Sequence, residues 1–525
     1  MVRLLPMGER ALLAEVDDLA DVLALHAALA TRPPAGIDDL VPAAQTVLVS
    51  FDPARIAPAA VRTWVAAAAR TVPDVAAPGP LVHLPVRYDG ADLADTAALL
   101  GIPVPELVAR HSAVPWTVAF TGFAPGFAYL VSDLWPFDVP RLAQPRTRVP
   151  AGAVGLAGPF AGAYPRATPG GWRLIGSTDA PLFDPDAARP VLLPPRARVR
   201  FVPERARSMA APAAPPAEGK ADAGSDGTGA AKASSRAAER GTTALRVVSP
   251  GALATLQDLG RPGRAGLGVA RSGAVDRAAL RIANRLVGNA EAATAIEIAL
   301  GGFCARAERD TWVAVTGALA DVRVDGRARD AYAPLRLPAC AEISIGVARA
   351  GLRLYLAVRG GIDVAAVLGS RSTDVLASLG PPPLRAGDVV TAGEAPGPVP
   401  AVDVFPWSVP GALVDVAIAP GPRVDWFAPG AWQTLVDTTW TVSNDVDRVG
   451  IRFEGPPLGR IGDGELPSEG MVPGALQVPP HGRPVALLAD GPVTGGYPVI
   501  AVATDATLDA LGQVRPGDRV RFRRG

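Results

Sequence analysis

Four segments of this 525-residue chain gather side chains that can do chemistry. Gly122-Phe123-Ala124-Pro125-Gly126-Phe127-Ala128-Tyr129-Leu130 follows the apolar run Trp116–Phe120. Glycines beside aromatics permit close backbone approach and positive φ, and Pro125 sets the bend. Such a loop presents N–H groups over a ligand pocket or serves as a buried turn between barrel strands; both readings stand. His111, just upstream, titrates near neutrality and suits a general base, or a structural position, since no partner for it is recognisable. Gly260-Arg261-Pro262-Gly263-Arg264-Ala265-Gly266-Leu267-Gly268, with Arg271, offers successive N–H groups and cations to a carboxylate or phosphate. It lacks the strand–GxGxxG–helix setting and the lysine of a nucleotide loop.

Gly369-Ser370-Arg371-Ser372-Thr373-Asp374 suits substrate hydrogen bonding or a helix cap. Ser372 lacks the elbow of a nucleophilic serine. Asn444-Asp445-Val446-Asp447-Arg448-Val449-Gly450, then Glu454 and Ser468-Glu469-Gly470, groups carboxylates around an arginine. That set can supply acid, base and oxyanion clamp at a barrel mouth, or an Asp–Arg pair that fixes a turn.

Composition narrows the chemistry. Of 51 basic residues only Lys220 and Lys232 are lysines, so a Schiff base, a Gly-Lys-Ser/Thr phosphate loop and a biotinyl lysine are excluded from the globular parts. Acidic residues also number 51, and a net charge of zero offers nucleic acid or anionic membrane no global attraction. Cys304 and Cys340 make no disulfide framework, and His26, His83, His111 and His481 are scattered, so no metal site is expected. Glu9, Arg10, Glu15, Asp17 and Asp18 interrupt the start as no secretory segment would be interrupted, and no 18-residue apolar run exists; a cytoplasmic protein is expected.

The elements that must position these groups are mostly strands. Glycine and proline together make up a fifth of the chain and break helices. Residues 1–79 read as a small α+β domain: strand-like Val2–Val16, a helix over Leu19–Ala30, a strand Thr46–Phe51 and a helix from Pro58 to Arg70. Residues 80–203 read as a β-barrel. Residues 204–243, rich in Ala, Pro, Gly and Ser, read as a flexible tether that buries too little to order itself. Residues 244–400 and 401–525 form two further β-rich units, the first with a helix Arg277–Val287 ended by Gly288-Asn289.

An internal repeat supports related folds. Val149-Pro150-Ala151-Gly152, Gly170-Gly171-Trp172 and Arg198-Val199-Arg200-Phe201 recur in order as Val472-Pro473-Gly474-Ala475, Gly495-Gly496-Tyr497 and Arg519-Val520-Arg521-Phe522. A weaker third copy ends at Leu384–Val390. The fold class expected is mainly β with α+β: tandem barrels plus the small N-terminal domain.

In combination these motifs resemble a known family. His111, the glycine-aromatic loop, Pro145–Gly152, Pro169-Gly170-Gly171-Trp172 and Phe183-Asp184-Pro185 resemble the B subunit of bacterial ATP-dependent 5-oxoprolinase. Gln257-Asp258-Leu259-Gly260-Arg261, Ser272-Gly273-Ala274, Ala283–Asn289, Glu297, Thr316-Gly317-Ala318, Gly369–Asp374, Asp447–Gly450, Ser468–Gly470, Gln477-Val478-Pro479 and Thr494–Pro498 resemble the C subunit. Relatives carry the labels allophanate hydrolase subunits 1 and 2 and kinase inhibitor and antagonist, and the same domains form the carboxyltransferase segment of urea carboxylase. The resemblance implies cyclophilin-like barrels and a separate A subunit, with which the fused B and C parts open the 5-oxoproline lactam to glutamate at the expense of ATP. In the family picture the lactam carbonyl oxygen is phosphorylated and water then attacks.

Carried onto this chain, the resemblance makes His111, Asp447, Arg448 and Glu469 candidate catalytic groups. Gly122, Phe123, Pro125, Gly126, Arg371, Ser372, Thr373, Gln477, Thr494 and Tyr497 become candidate substrate contacts. Arg448 and Arg371 would meet the substrate carboxylate, and His111 or Asp447 would be the base. The ATP is expected to be used with the partner A subunit, biotin is not expected on this chain, and self-association is open. Two other readings stand beside this one. Carboxyl transfer would need carboxybiotin from another chain, and a kinase-binding regulator would show tight kinase binding without hydrolysis.

Overall fold

The structure is a computed structural model that describes residues 2–70, 79–204, 241–395, 397–401, 405–408, 411–462 and 466–525. Most of the tether expected over 204–243, with Lys220 and Lys232, lies outside the described residues. Among those described, no helix is long and apolar enough to cross a membrane.

At the N-terminus, strands Arg3–Pro6, Ala11–Glu15, Thr46–Phe51 and Ile37–Pro42 lie side by side in that order, all antiparallel. Helix Leu19–Thr31 begins where the Asp18 carboxylate accepts from Asp21 N at 2.9 Å, satisfying one of the free donors of the first turn. Its Val22, Leu25 and Leu29 pack with Val61 and Val65 of helix Pro58–Arg70 on Leu12, Ala14, Val47 and Val49 of the sheet. The stretch Val2–Val16 is thus a hairpin turned at Gly8, not one strand. Strand Ile37–Pro42 was not legible, because two aspartates and a proline argue against a strand until Thr46–Phe51 supplies the pairing.

The first barrel is a seven-stranded sheet whose two edges meet at the Arg87–Ser177 bridge. Its last strand, Arg198–Pro203, runs parallel to its first, Leu81–Val86, and antiparallel to Trp116–Thr121. In the C-terminal barrel, which is closed, Arg519–Arg524 likewise runs parallel to Leu413–Pro420 and antiparallel to Thr439–Val446. The repeated Arg-Val-Arg-Phe stretches therefore hold the same place in the two ladders. A further copy emerges with them. Trp-Thr-Val occurs at 116–118 and at 440–442; Trp116 pairs with Val199, and Trp440 with Val520. Each buried indole donates to a carbonyl five residues back, His111 O at 3.0 Å and Leu435 O at 2.9 Å. Short helices, Val104–Ala113 and Ala431–Asp437, supply those carbonyls. Prolines and glycines hid both helices, although Pro105 sits in a first turn, where a missing N–H costs little.

The middle unit wraps two sheets, of six and five strands, around one core that includes Leu256, Ile298, Phe303, Ile343 and Leu356. Its strands pass from one sheet to the other at corners, as in orthogonal packing. At one such corner a β-carbon on Gly251, which holds φ at 70°, would lie 2.2 Å from Gly301 O. The last strand, Val389–Ala392, pairs with the first, Thr242–Pro250, but antiparallel. The weak third copy thus ends at the same neighbour with the opposite direction. Helix Arg277–Leu286, capped by Asp276 accepting from Ala279 N at 2.8 Å, covers the five-stranded sheet through Leu280, Ala283 and Leu286. The architecture is mainly β with α+β: tandem cyclophilin-like barrel domains beside a small α+β domain.

Candidate active site between the two halves

The loop after strand Trp116–Thr121 leaves its own barrel and docks on the second half of the chain. Thr121 Oγ1 donates to Gly266 O at 2.6 Å, Phe123 N donates to Thr494 Oγ1 at 3.1 Å, and Gly126 N donates to Leu267 O at 3.0 Å. A β-carbon at position 122 would lie 2.1 Å from Thr494 Oγ1, so only glycine allows this approach. Phe123 holds φ at 64°, a conformation that non-glycine residues adopt rarely and that concentrates at functional loops. The residue stays 38% exposed, and Tyr497 is 40% exposed.

Thr494–Gly495 pairs with Glu469–Gly470, and the Gln477 side-chain oxygen lies 3.6 Å from where a β-carbon on Gly495 would stand. The structure therefore brings Gly122, Phe123, Gly126, Glu469, Gln477 and Thr494 to one junction, with Pro125 inside the same loop and Tyr497 three residues beyond Thr494. Glu469 is buried; its Oε1 accepts from Arg423 Nε at 2.8 Å, and Arg423 also pairs with Glu15 Oε1 at 2.6 Å. Glu469 Oε2 is buried without a hydrogen bond. Burial raises the carboxyl pKa, and Arg423 offsets only part of that rise.

Arg448 lies in a second, fully buried cluster. It donates to Asp490 Oδ2 at 2.9 Å, to Glu297 Oε1 and to Gly273 O at 2.6 Å. Burial works against its charge, but Asp490 and Glu297 outweigh burial and hold its pKa above the ordinary value. Glu297 is opposed by burial too, yet Arg448 and Arg353 keep it below the usual carboxylate range. Tyr355 OH donates to Glu297 Oε2 at 2.7 Å, and Ser272 Oγ to Asp490 Oδ1 at 2.6 Å. Ser372 and Thr373 border this network. Ser370 Oγ at 2.6 Å and Ser372 Oγ donate to Asp258 Oδ1, Arg371 N donates to Asp258 Oδ2 at 2.7 Å, and the Thr373 carbonyl accepts from Ser272 Oγ at 3.2 Å. The polar hexapeptide is thus neither a helix cap nor an open cluster; it staples itself to Asp258.

Several expected groups stand elsewhere. His111 is fully buried between Trp116, Trp135 and Phe201, stacked on Phe201 at 4.2 Å, with Nδ1 2.8 Å from Tyr88 OH. Burial lowers its pKa to about 3, so the ring stays neutral in a closed core away from the junction. It holds the place that Leu435 fills in the other barrel. Asp447 is exposed, its carboxylate accepting from Val449 N at 2.7 Å and Gly450 N at 3.0 Å to close a turn. The Arg371 side chain, half-exposed, donates through Nε to Val364 O at 2.7 Å and comes within 3.6 Å of Asp363. Of the two arginines named for the substrate carboxylate, Arg448 is therefore not free to take it.

The Gly/Arg loop is also committed. Gly263 N and Ala265 N donate to Asp39 at 3.0 and 2.9 Å, and Gly260 N to Asp258 Oδ1 at 2.7 Å. The carboxylate bound there is the protein's own, delivered by the strand that the sequence concealed. This leaves no open nest for ATP phosphates in the loop. Among the described residues no His, Cys, Asp and Glu are grouped to hold a metal. Sequence reasoning missed Asp490, Arg353, Arg423 and Asp39, which are ordinary in sequence and acquire meaning only through partners far along the chain.

Comparison with known proteins places these features. Residues 2–193 match the model "Carboxyltransferase domain, subdomain C and D", and residues 267–524 match "Carboxyltransferase domain, subdomain A and B". The chain is 37% identical over 290 residues to the C subunit of 5-oxoprolinase from Escherichia coli (strain K12), covering 53% of this chain and 90% of that protein. It is 50% identical over 127 residues to the B subunit of 5-oxoprolinase from Escherichia coli O157:H7, covering 24% of this chain and 58% of that protein. Urea amidolyase of Saccharomyces cerevisiae is 33% identical over 309 residues, 53% of this chain but 16% of that protein. The crystal structure of TTHA0988 superposes with a TM-score of 0.83 at 34% identity, covering all of both chains.

Proposed function

The chain belongs to the carboxyltransferase-domain family, with a C/D-type first half and an A/B-type second half, and from that membership we propose that it is a fused B and C component of an ATP-dependent 5-oxoprolinase. Together with a separate A subunit it opens the 5-oxo-L-proline lactam to L-glutamate. The observation that carries this reading is the pairing in one chain of a segment similar to the B subunit of 5-oxoprolinases with a segment similar to their C subunit. The two are locked by the contact of Gly122 and Phe123 with Thr494.

An amide is a poor electrophile, so ring opening needs activation that this chain does not supply from its own described residues. Its phosphate-sized backbone nest is filled by Asp39, and both its lysines fall in the segment read as a tether. The nucleotide is therefore assigned to the A subunit. This chain's part is to hold the lactam at the junction, where Thr494, Gln477 and Glu469 supply hydrogen bonds and the Phe123 loop shuts out water. A raised carboxyl pKa at Glu469 suits proton transfer there.

The test is direct. Purified chain, A subunit, ATP and 5-oxo-L-proline should yield glutamate, whereas either protein alone should not. Absence of glutamate from a folded, associated mixture would sink the proposal. Urea-type carboxylation is the second reading, and it rests on the likeness to urea amidolyase over a sixth of that enzyme. Urea-dependent ATP turnover with a biotin-bearing partner would favour it.

A further inference from the structure

Beside the junction a separate cleft of about 160 Å³ opens where the N-terminal sheet, the segment 259–277 and the C-terminal barrel meet. That is room for on the order of five water molecules, and less than the roughly 300 Å³ at which sites for drug-sized ligands begin. Only a small molecule fits. Met7, Phe51, Met471, Val472, Leu487 and Val493 make its walls largely apolar.

The charged groups at its rim are unequal. Asp505 accepts from Arg10 at 2.7 Å and from Arg277 at 2.9 Å, so both of those cations are engaged. Glu9 accepts from Asp505 N at 2.9 Å, and Asp39 is held by Gly263 N and Ala265 N. Arg271 differs. Its Nε makes one long hydrogen bond, to Leu259 O at 3.5 Å, and its guanidinium comes only within 4.0 Å of Asp38. Both distances exceed those of a charge-assisted hydrogen bond. Burial lowers its pKa and Asp38 restores part of the loss, the signature of a partly desolvated cation short of an anion. Its side chain remains 42% exposed and lines the cleft. The next residue, Ser272, holds φ at 55° and is fixed by Asp490, so the guanidinium stands on a rigid base.

We propose that this cleft is a binding site for a small organic acid, with Arg271 taking the carboxylate through its planar fork and the apolar walls covering the body. The lactam substrate has that chemistry, and the choice of probe rests on the proposed function; the site itself does not. Asp38 competes with the ligand for Arg271, which gives the proposal a second sign to check.

The experiment is isothermal titration of the full chain, without the A subunit, with 5-oxo-L-proline and with cyclopentanecarboxylate. Saturable binding of at least one is expected. Arg271→Gln should weaken it at least tenfold, Arg271→Lys less, and Asp38→Asn should tighten it several-fold. 5-oxo-L-prolinamide, which lacks the carboxylate, should not bind. Arg281→Gln, on an exposed helix face, should change nothing. Equal affinity in Arg271→Gln with an unchanged melting temperature, equal binding of the amide, or no saturable binding of either acid would overturn the proposal. If Arg271→Gln melts early, the Asp38→Asn and amide results decide. Binding that obeys these rules in a mixture that makes no glutamate would refute the proposed activity and leave this site standing. Glutamate formation by a mixture whose chain shows no Arg271-dependent binding of either acid would refute this site and leave the proposed activity standing.

Discussion

The loop that follows Trp-Thr-Val is built twice in this molecule and has been put to two different uses. In the first barrel, Gly122–Gly126 is apolar, turns outward and fits its backbone against Thr494 of the other half. In the second, Val446–Gly450 turns inward and buries Arg448 between Asp490 and Glu297. The tryptophans, the closing strands and the bridging carbonyls are the same in kind. What differs is whether the loop offers backbone or charge. A glycine loop makes a close, shape-dependent contact and keeps an aromatic at the surface. A charged loop ties its barrel to the middle domain through groups that cannot be left unpaired. The first is suited to a working junction, and the second to holding that junction in place.

The largest effect should come from the charged loop. Arg448→Leu leaves Glu297 and Asp490 buried without their shared cation and should cost about 3–5 kcal/mol of stability, read by urea denaturation. A loss under about 1 kcal/mol would mean that the cluster does not brace the barrel.

Gly122→Ala should cost less, about 1–3 kcal/mol, because its methyl group would meet Thr494 Oγ1 at 2.1 Å. Adding Thr494→Ala removes the obstructing atoms and should recover most of the loss, a coupling that a double-mutant cycle measures. Strict additivity would break the claim that this loop is fitted to Thr494.

His111→Leu gives the smallest and most selective effect, since it makes the first barrel resemble the second, where Leu435 stands. The imidazole has a folded pKa of about 3 against an ordinary 6.5. Its contribution is therefore complete above pH 6.5 and is lost as pH falls toward 3, because the unfolded chain takes up the proton first. Between pH 7 and 5.5 the wild-type protein should lose about 1 kcal/mol that the variant keeps. Paired melting curves at the two pH values check this. Loss of turnover in a variant that stays folded would restore His111 as a base.

Much of the fold was legible in the sequence because it rests on repetition and punctuation. Arg-Val-Arg-Phe at 198 and 519 marked the closing strands. The short helices before Trp116 and Trp440 were not legible, since each is a single element held by tertiary packing rather than by its own propensity. At the candidate site, the Gly122–Gly126 loop and Thr494 stood out, but their meeting depends on a contact 371 residues apart along the chain. Arg448 was visible as a charged residue in a turn; that it is spent on Asp490 and Glu297 is a property of three segments together. Arg271 looked like one of several arginines in a glycine loop, and only the cleft sets it apart.

The central claim is that the contact between the two halves is where the lactam is held. It is tested by the rate of glutamate formation from 5-oxo-L-proline and ATP, with the A subunit, by wild-type, Gly122→Ala and Gly122→Ala/Thr494→Ala chains of matched folding. The account predicts a drop in kcat/KM of tenfold or more for the single variant and recovery in the double. Undiminished turnover in Gly122→Ala would contradict it.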